Sequence, residues 1–321
     1  MSINIDYFAL KKDVKVPSSF VIAPQDAINK SGADLILTGD PEADRAAIQQ
    51  AIHDLHNARE STDIAIRIDF LGGTIDVGTK TDGNAIVIPV GYDNIHLYGN
   101  GVKLTGEVYS PDYNHKYSVF TNNADNVIID GFNIVNNSSY YGYGLSNTGT
   151  NCTITGNTCN ASGDGLYNRG NNCTITSNTC NASGDGLSNS GNNCTITGNT
   201  CNANVYGLYN SGTNCTITGN TCNADAYGLY NFGTNCTITG NTCNGSEYGL
   251  SNIGTNCIIT GNTCSGINYG LYNSSTSTTD KCIIIGNICL NGGISVKSGT
   301  CLPATQAAMA DVNTGTITIR S

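Results

Sequence analysis

The chain has 321 residues and a net charge of −10, and only 12% of its residues are charged, alongside 39 glycines, 15 cysteines and no tryptophan. The negative balance argues against a nucleic-acid partner held through its phosphates. Low charge argues against disorder driven by like-charge repulsion, and no run of 18 apolar residues occurs, so no membrane insertion is expected.

In chain order, the opening "MSINIDYFALKKDVKV" lacks the long apolar core and small-residue cleavage site of a signal peptide. The protein is therefore expected either to stay inside the cell or to leave by lysis or assembly into a particle. Residues 1–19 are expected to form an attachment or N-terminal segment. Residues 20–142 read as an N-terminal cap followed by irregular strands. Within them "GDPEADRAAIQQAIHDLHNA" predicts a helix, with Asp40 as its cap, Pro41 at its first position and Ile48, Ala51, Ile52 and Leu55 on one apolar face. Strand-like runs follow: "IAIRIDF", "GGTIDVG", "AIVIPV", "NIHLYGNGVKL" and "NVIIDGFNIVNN". The helix is expected to cover the open end of a sheet structure, since an uncovered end exposes unpaired strand edges.

Residues 143–290 hold seven repeats. Their first cysteines are Cys152, Cys173, Cys194, Cys215, Cys236, Cys257 and, after a four-residue insertion, Cys282. The period is 21 residues, and a second cysteine follows seven positions later each time, from Cys159 to Cys289. Leu145, Ile154 and Asn157 recur on the same beat. The unit is too short for a helical pair and is rich in β-branched and turn-forming residues. In "CTIT" the cysteine and isoleucine share one parity and the threonines the other, as a half-buried strand requires. One coil of a parallel β-helix fits, with identical side chains stacked about 4.8 Å apart and the Asn157 column bonding as a ladder. Three readings are open for the interior thiols: core packing, disulfides, or metal binding. An odd total leaves Cys301 as the natural unpaired candidate. Residues 291–321 are expected to form a C-terminal cap.

The stretch "VIAPQDAINKSGADLILTGDPEADRAAIQQAIHDL", with "GGTIDVG", "AIVIPVGYDNIHLYGNGVKL" and "NVIIDGFNI", resembles the start of the pectate-lyase-like superfamily, whose members include pectate lyases, polygalacturonase-type hydrolases and phage tailspikes. The repeats resemble the Asn-rich parallel β-helix repeat of the same group. The resemblance spans roughly residues 20 to 290. It implies an all-β, single-stranded, right-handed parallel β-helix with an N-terminal capping α-helix. It implies no chemistry, because the superfamily also holds many non-enzymes.

No catalytic residue of the superfamily carries over. Lyases of the group are expected to use a basic residue and calcium held by carboxylates, yet between Tyr143 and Tyr272 there is no lysine or histidine and the one basic residue is Arg169. Hydrolases of the group are expected to show an adjacent aspartate pair, and no Asp-Asp dipeptide occurs. The best carboxylate pair is Asp164 and Asp185, each in "NASGDGL" and one repeat apart. Close carboxylates can divide acid and nucleophile roles. The plainer reading is a tolerant loop position, since Tyr143, Tyr206, Tyr227, Tyr248 and Tyr269 fill the same slot elsewhere. Asp125, Asp130, His96 and His115 in the earlier coils are further candidates. No cofactor is expected.

The residue after each inward leucine should face out. It is Tyr167, Tyr209, Tyr230 or Tyr272, alternating with Ser146, Ser188 and Ser251, a surface suited to stacking sugar rings. Isolated surface aromatics are also ordinary. The first hypothesis is a carbohydrate-recognising spike, fibre or surface protein, viral or cell-surface, non-catalytic or weakly catalytic, located in a virion or at an extracellular surface and a homotrimer if it is a tailspike. The second is a polysaccharide lyase or glycoside hydrolase. The third is a structural β-helix, with ice binding through the outward Thr-x-Thr array (Thr153/Thr155 onward) as a special case.

Overall fold

The computed structural model describes residues 19–59, 61–111, 116–274, 282–297 and 317–320. Most of the expected attachment segment (1–18), most of the expected C-terminal cap, His115 and Cys301 lie outside the described residues. Each 21-residue repeat makes one coil with three short strands. In the first repeat these are Thr153–Thr155, Thr158–Ala161 and Leu166–Asn168. Corresponding strands of successive coils pair in parallel and in register, as Ile154 with Ile175, Cys159 with Cys180 and Leu166 with Leu187. Among the described residues the strands build three parallel sheets of 12, 10 and 11 strands, and every repeat coil gives one strand to each. The protein is an all-β right-handed parallel β-helix with one helix near its N-terminus.

Two corners per coil need a left-handed backbone, which glycine and asparagine reach at least cost. Gly156, Gly198, Gly219, Gly240 and Gly261 take φ of 63–65° at the corner after the first strand. Asn151, Asn172, Asn193, Asn214, Asn235 and Asn256 take φ of 55–57° at the corner before it. Ser177 fills a glycine slot at φ 56°, where its Cβ is strained.

Six inward columns make the core. In one coil they are Cys152, Ile154, Asn157, Cys159, Leu166 and Asn168, none more than 1% exposed. Only two are aliphatic, so polar side chains inside the helix must satisfy one another. The expected ladder forms: Asn178 donates Nδ2–H to Asn199 Oδ1 at 3.0 Å and to the Ile154 carbonyl at 2.9 Å, while its backbone N–H donates to the same Asn199 oxygen at 2.9 Å. A second buried ladder runs through Asn147, Asn168, Asn189, Asn210, Asn231 and Asn252; Asn168 Nδ2 donates to Asn189 Oδ1 at 2.7 Å and to the Gly170 carbonyl at 2.9 Å.

All fourteen described cysteines are buried free thiols, which bears out core packing over disulfides. The two columns differ. Cys194 donates its S–H to the Gly170 carbonyl at 3.3 Å and accepts from Asn168 Nδ2 at 3.5 Å. Both columns set thiol beside thiol: Cys194 lies between Cys173 and Cys215 in the first, which adds these carbonyl and amide partners, and Cys201 lies between Cys180 and Cys222 in the second. There the neighbouring Cys180 thiol and burial together push the Cys159 thiol well above its ordinary range.

The helix spans Pro41–Ala58, with Asp40 accepting the Ala43 N–H at 2.8 Å, and buries Ile48, Ile52 and Leu55 as its periodicity predicts. It lies over strands Thr74–Lys80 and Ile86–Ile88, which end the second and third sheets. Gln49 imitates a missing strand there: its Nε2 donates to the Val87 carbonyl at 2.8 Å and its Oε1 accepts the Val87 N–H at 3.1 Å. The exposed edge is thereby closed to other strands. Asp44, buried beneath the helix start, accepts the Thr38 and Gly39 N–H groups at 2.7 and 2.8 Å.

The two thiol columns should respond differently to serine. Cys194→Ser keeps a carbonyl acceptor and an amide donor and should cost under about 1 kcal/mol, whereas Cys201→Ser sets a hydroxyl among thiols and aliphatic groups and should cost about 2 kcal/mol. Equal losses in urea unfolding would refute that distinction. In the same assay Ser177→Gly should stabilise the chain by about 1 kcal/mol by relieving the left-handed serine; a loss would show that the serine side chain makes a contact outweighing its strain.

Candidate functional site

The loop from the second sheet to the third ends in a slot whose residue stands just before an inward glycine. Along the helix the slot holds Tyr143, Asp164, Asp185, Tyr206, Tyr227, Tyr248 and Tyr269, and hydrogen bonds between coils keep these in line. The glycine column has a steric cause: a Cβ on Gly186 or Gly207 would stand 2.7 or 2.6 Å from the carbonyl oxygen of the next coil's glycine. With no side chain there, the slot and the position three residues later share one outer surface. That second position holds Ser146, Tyr167, Ser188, Tyr209, Tyr230, Ser251 and Tyr272 in register.

The two columns merge into one aromatic face. Tyr206 stacks on Tyr230 with centroids 5.0 Å apart and planes 11° apart, and Tyr227 stacks on Tyr248 with the same separation and angle. Tyr209 stacks on Tyr230 at 5.9 Å, Tyr248 meets Tyr272 at 5.1 Å, and Tyr269 stacks on Tyr272 at 5.7 Å. A second group, Tyr141, Tyr143 and Tyr167, lies toward the N-terminus, with Tyr143 and Tyr167 5.0 Å apart. Tyr167, Tyr209, Tyr230 and Tyr272 are half-buried: neighbouring rings cover part of each and leave the rest to solvent. They do not stand as isolated surface aromatics. The slot tyrosines, which a loop reading of the sequence passes over, supply half of the array. Their signal was present, because the chain places Tyr-Gly-Leu-Tyr in three coils.

Asp164 and Asp185 interrupt the slot column between the two tyrosine groups. Asp164 is buried; its Oδ1 accepts from Tyr141 Oη–H at 2.7 Å and from the Asp185 N–H at 3.1 Å. Burial pushes its carboxyl above the usual carboxylate range, although the Tyr141 bond works the other way. Burial and then the charge of Asp164 push Asp185 up to about 7. Burial, with the nearby Asp164 charge, pushes the Tyr141 and Tyr143 phenols well up, so they remain neutral donors. Lys116 rests its ammonium over the rings of Tyr141 and Tyr143, 4.9 and 5.5 Å from the centroids.

The other candidates sit elsewhere. His96 and Asp130 belong to first-sheet strands, Ile95–Tyr98 and Ile128–Asp130, and Asp125 accepts the Thr150 N–H at 2.7 Å at a corner, a structural bond. Among the described residues no three His, Cys, Asp or Glu side chains converge so as to hold a metal ion. Among the described residues no helix is long and apolar enough to cross a membrane.

Comparison with known proteins supports this architecture. A family model described as periplasmic copper-binding protein (NosD) matches residues 162–301, under half of the chain. No curated protein matches the sequence. Among solved structures, the tailspike protein of E. coli bacteriophage HK620, in complex with a pentasaccharide, superposes with a TM-score of 0.52 at 13% identity, covering 93% of this chain and 65% of the tailspike. The lacto-N-biosidase from Eubacterium ramulus does so with a TM-score of 0.52 at 8% identity, covering 94% of this chain and 67% of the enzyme. The A-module of a mannuronan C-5 epimerase from Azotobacter vinelandii is also similar, with a TM-score of 0.46 at 14% identity, covering 88% of this chain and 93% of the module. The chain thus spans about two thirds of the tailspike and of the biosidase. In fold it is a right-handed parallel β-helix.

Proposed function

We propose that the chain is a carbohydrate-recognising spike, fibre or surface protein that binds its glycan along the tyrosine face. The observation that carries this reading is the continuous array from Tyr206 to Tyr272, half exposed and held on paired strands. Such rings offer flat apolar faces to pyranose rings, with phenol hydroxyls beside them. Tyr167, Tyr209, Tyr230 and Tyr272 are the proposed contact residues, joined by the slot tyrosines. The tailspike and biosidase folds support the reading, and the tailspike was seen with an oligosaccharide. In a virion such a protein would be a homotrimer, with residues 1–19 as attachment segment and 291–321 as C-terminal cap.

One observation favours a second, catalytic reading. Asp185 at about 7, beside Asp164 and flanked by tyrosines, suits a general acid paired with a second carboxylate. In a glycoside hydrolase Asp185 would give its proton to the leaving oxygen while Asp164 served as the base or nucleophile. Turnover of a polysaccharide that survives Asp164→Asn with Asp185→Asn would exclude the pair.

Binding to a panel of soluble polysaccharides should find at least one ligand. On it, Tyr209→Ala with Tyr230→Ala should weaken binding at least about fivefold, at about 0.5–1.5 kcal/mol per stacked ring, with the circular dichroism spectrum unchanged. Wild-type affinity in that double variant would remove the tyrosine face from the reading. The carboxylate pair gives a separate test. Between the ordinary aspartate value of 3.8 and about 7, folded Asp185 holds a proton that the unfolded chain has released. Its contribution is thus full below about pH 4 and is lost as pH rises through about 7. Melting temperature should fall by a few degrees from about pH 5 to pH 8, and Asp185→Asn should flatten that slope; a slope unchanged in the variant would mean that Asp185 titrates normally.

A further inference from the structure

We infer that the ligand of the tyrosine face is an amino glycan, an extended polysaccharide carrying free ammonium groups; this rests on the glycan reading above and narrows it. From Tyr143 to Tyr269 every charged side chain in the slot column and its approach loops is acidic. Asp164 and Asp185 occupy the column itself, Asp225 lies two residues before Tyr227, and Glu247 directly precedes Tyr248. Asp225 and Glu247 are exposed. The Glu247 backbone N–H donates to the Ala226 carbonyl at 3.0 Å, beside Tyr227, whose phenol is raised by burial and then by the Glu247 charge. Arg169, the one basic residue between Tyr143 and Tyr272, sits beyond Asn168, in the turn leaving the third sheet.

The N-terminal end of the face already shows what such a surface holds. There the Lys116 ammonium lies over Tyr141 and Tyr143, next to Asp164. A cation over an aromatic face is attracted by the ring, and a carboxylate beside it adds to the attraction. The coils of Tyr227 and Tyr248 repeat the combination of stacked rings and carboxylates, with Asp225 and Glu247, and among the described residues no cation–π contact of the chain's own lies on Tyr227, Tyr230 or Tyr248. An ammonium supplied by a ligand fits that surface. A polyuronate or a sulfated glycan would instead meet the exposed carboxylates of Asp225 and Glu247 on a chain of net charge −10.

Geometry sets the direction of the ligand. Successive coils stand about 4.8 Å apart, close to the advance of one pyranose in an extended polymer. A chain laid along the helix axis would bring one sugar to each coil, and its ammonium groups to Asp225 and Glu247 in turn.

The test compares three hexamers at about pH 6: glucosamine, N-acetylglucosamine and galacturonate, by titration calorimetry at low and at moderate salt. The glucosamine hexamer should bind at least tenfold more tightly than the N-acetylated one, and its affinity should fall severalfold with added salt. Asp225→Asn with Glu247→Gln should remove most of that preference, and Tyr230→Ala should weaken both. Equal or tighter binding of the N-acetylated or galacturonate hexamer would overturn the amino-glycan assignment while leaving the glycan reading in place. A preference for glucosamine that persists undiminished in the Asp225/Glu247 variant would also overturn it. Binding of none of the three, nor of any glycan in the polysaccharide panel, would overturn the glycan reading and this inference with it.

Discussion

The buried asparagine ladders are the constraint on which the rest of this molecule depends. A side-chain amide in the core carries two N–H donors and an oxygen, and leaving these unpaired would cost more than most single contacts return. Here each Asn178-type residue finds its acceptor in the same residue one coil on and in a backbone carbonyl one coil back. The arrangement works only when identical residues lie directly above one another. A register slip of one residue in any coil would break two ladders and turn a cysteine and an isoleucine outward. In-register stacking of like residues follows from that demand, whether the next ladder residue is 21 positions on or, as from Asn262 to Asn287, 25, and it makes every outer surface a column of like or varied residues.

Much of this could be read in advance from the spacing alone. The parity of Cys152 and Ile154, the corner after Thr155 and the apolar stripe of the helix all follow from local rules, and the structure agrees with them. The Asn168 ladder was equally available, since Asn168 shares parity with the inward Leu166. What spacing could not supply was the joining of two outer columns into one face. Residues three apart in a strand lie on opposite sides of a flat sheet. Tyr206 and Tyr209 escape that rule because Gly207 and Leu208 both turn inward at the corner. The thiol state was likewise open in the sequence, and the difference between the columns becomes visible only once the Gly170 carbonyl is seen beside Cys194.

The slot shows how such a scaffold can carry function without disturbing its fold. Its backbone is tied to the neighbouring coils, as by the Gly165 N–H to the Asp185 carbonyl and the Gly186 N–H to the Tyr206 carbonyl, so the side chain there is free to change. Tyrosine in five coils and aspartate in two is therefore a choice the core does not dictate. The aspartates are not indifferent substitutions, however. A loop position open to water would leave a carboxyl ionised, whereas Asp164 is buried with Tyr141 as a donor and Asp185 is raised by burial and by its neighbour.

Rigidity links these features to recognition. Holding aromatic side chains in place before a ligand arrives removes much of the ordering cost that binding otherwise carries. In this chain the tyrosines rest on strands that the ladders lock from within, and the rings support one another by stacking. A flexible loop bearing the same residues would have to be ordered by the ligand itself. Ser188 and Ser251 each take one ring out of the column and lie buried, so the exposed part of the face belongs to the rings around them. A ladder of amides inside the helix thus sets the spacing of rings and carboxylates outside it.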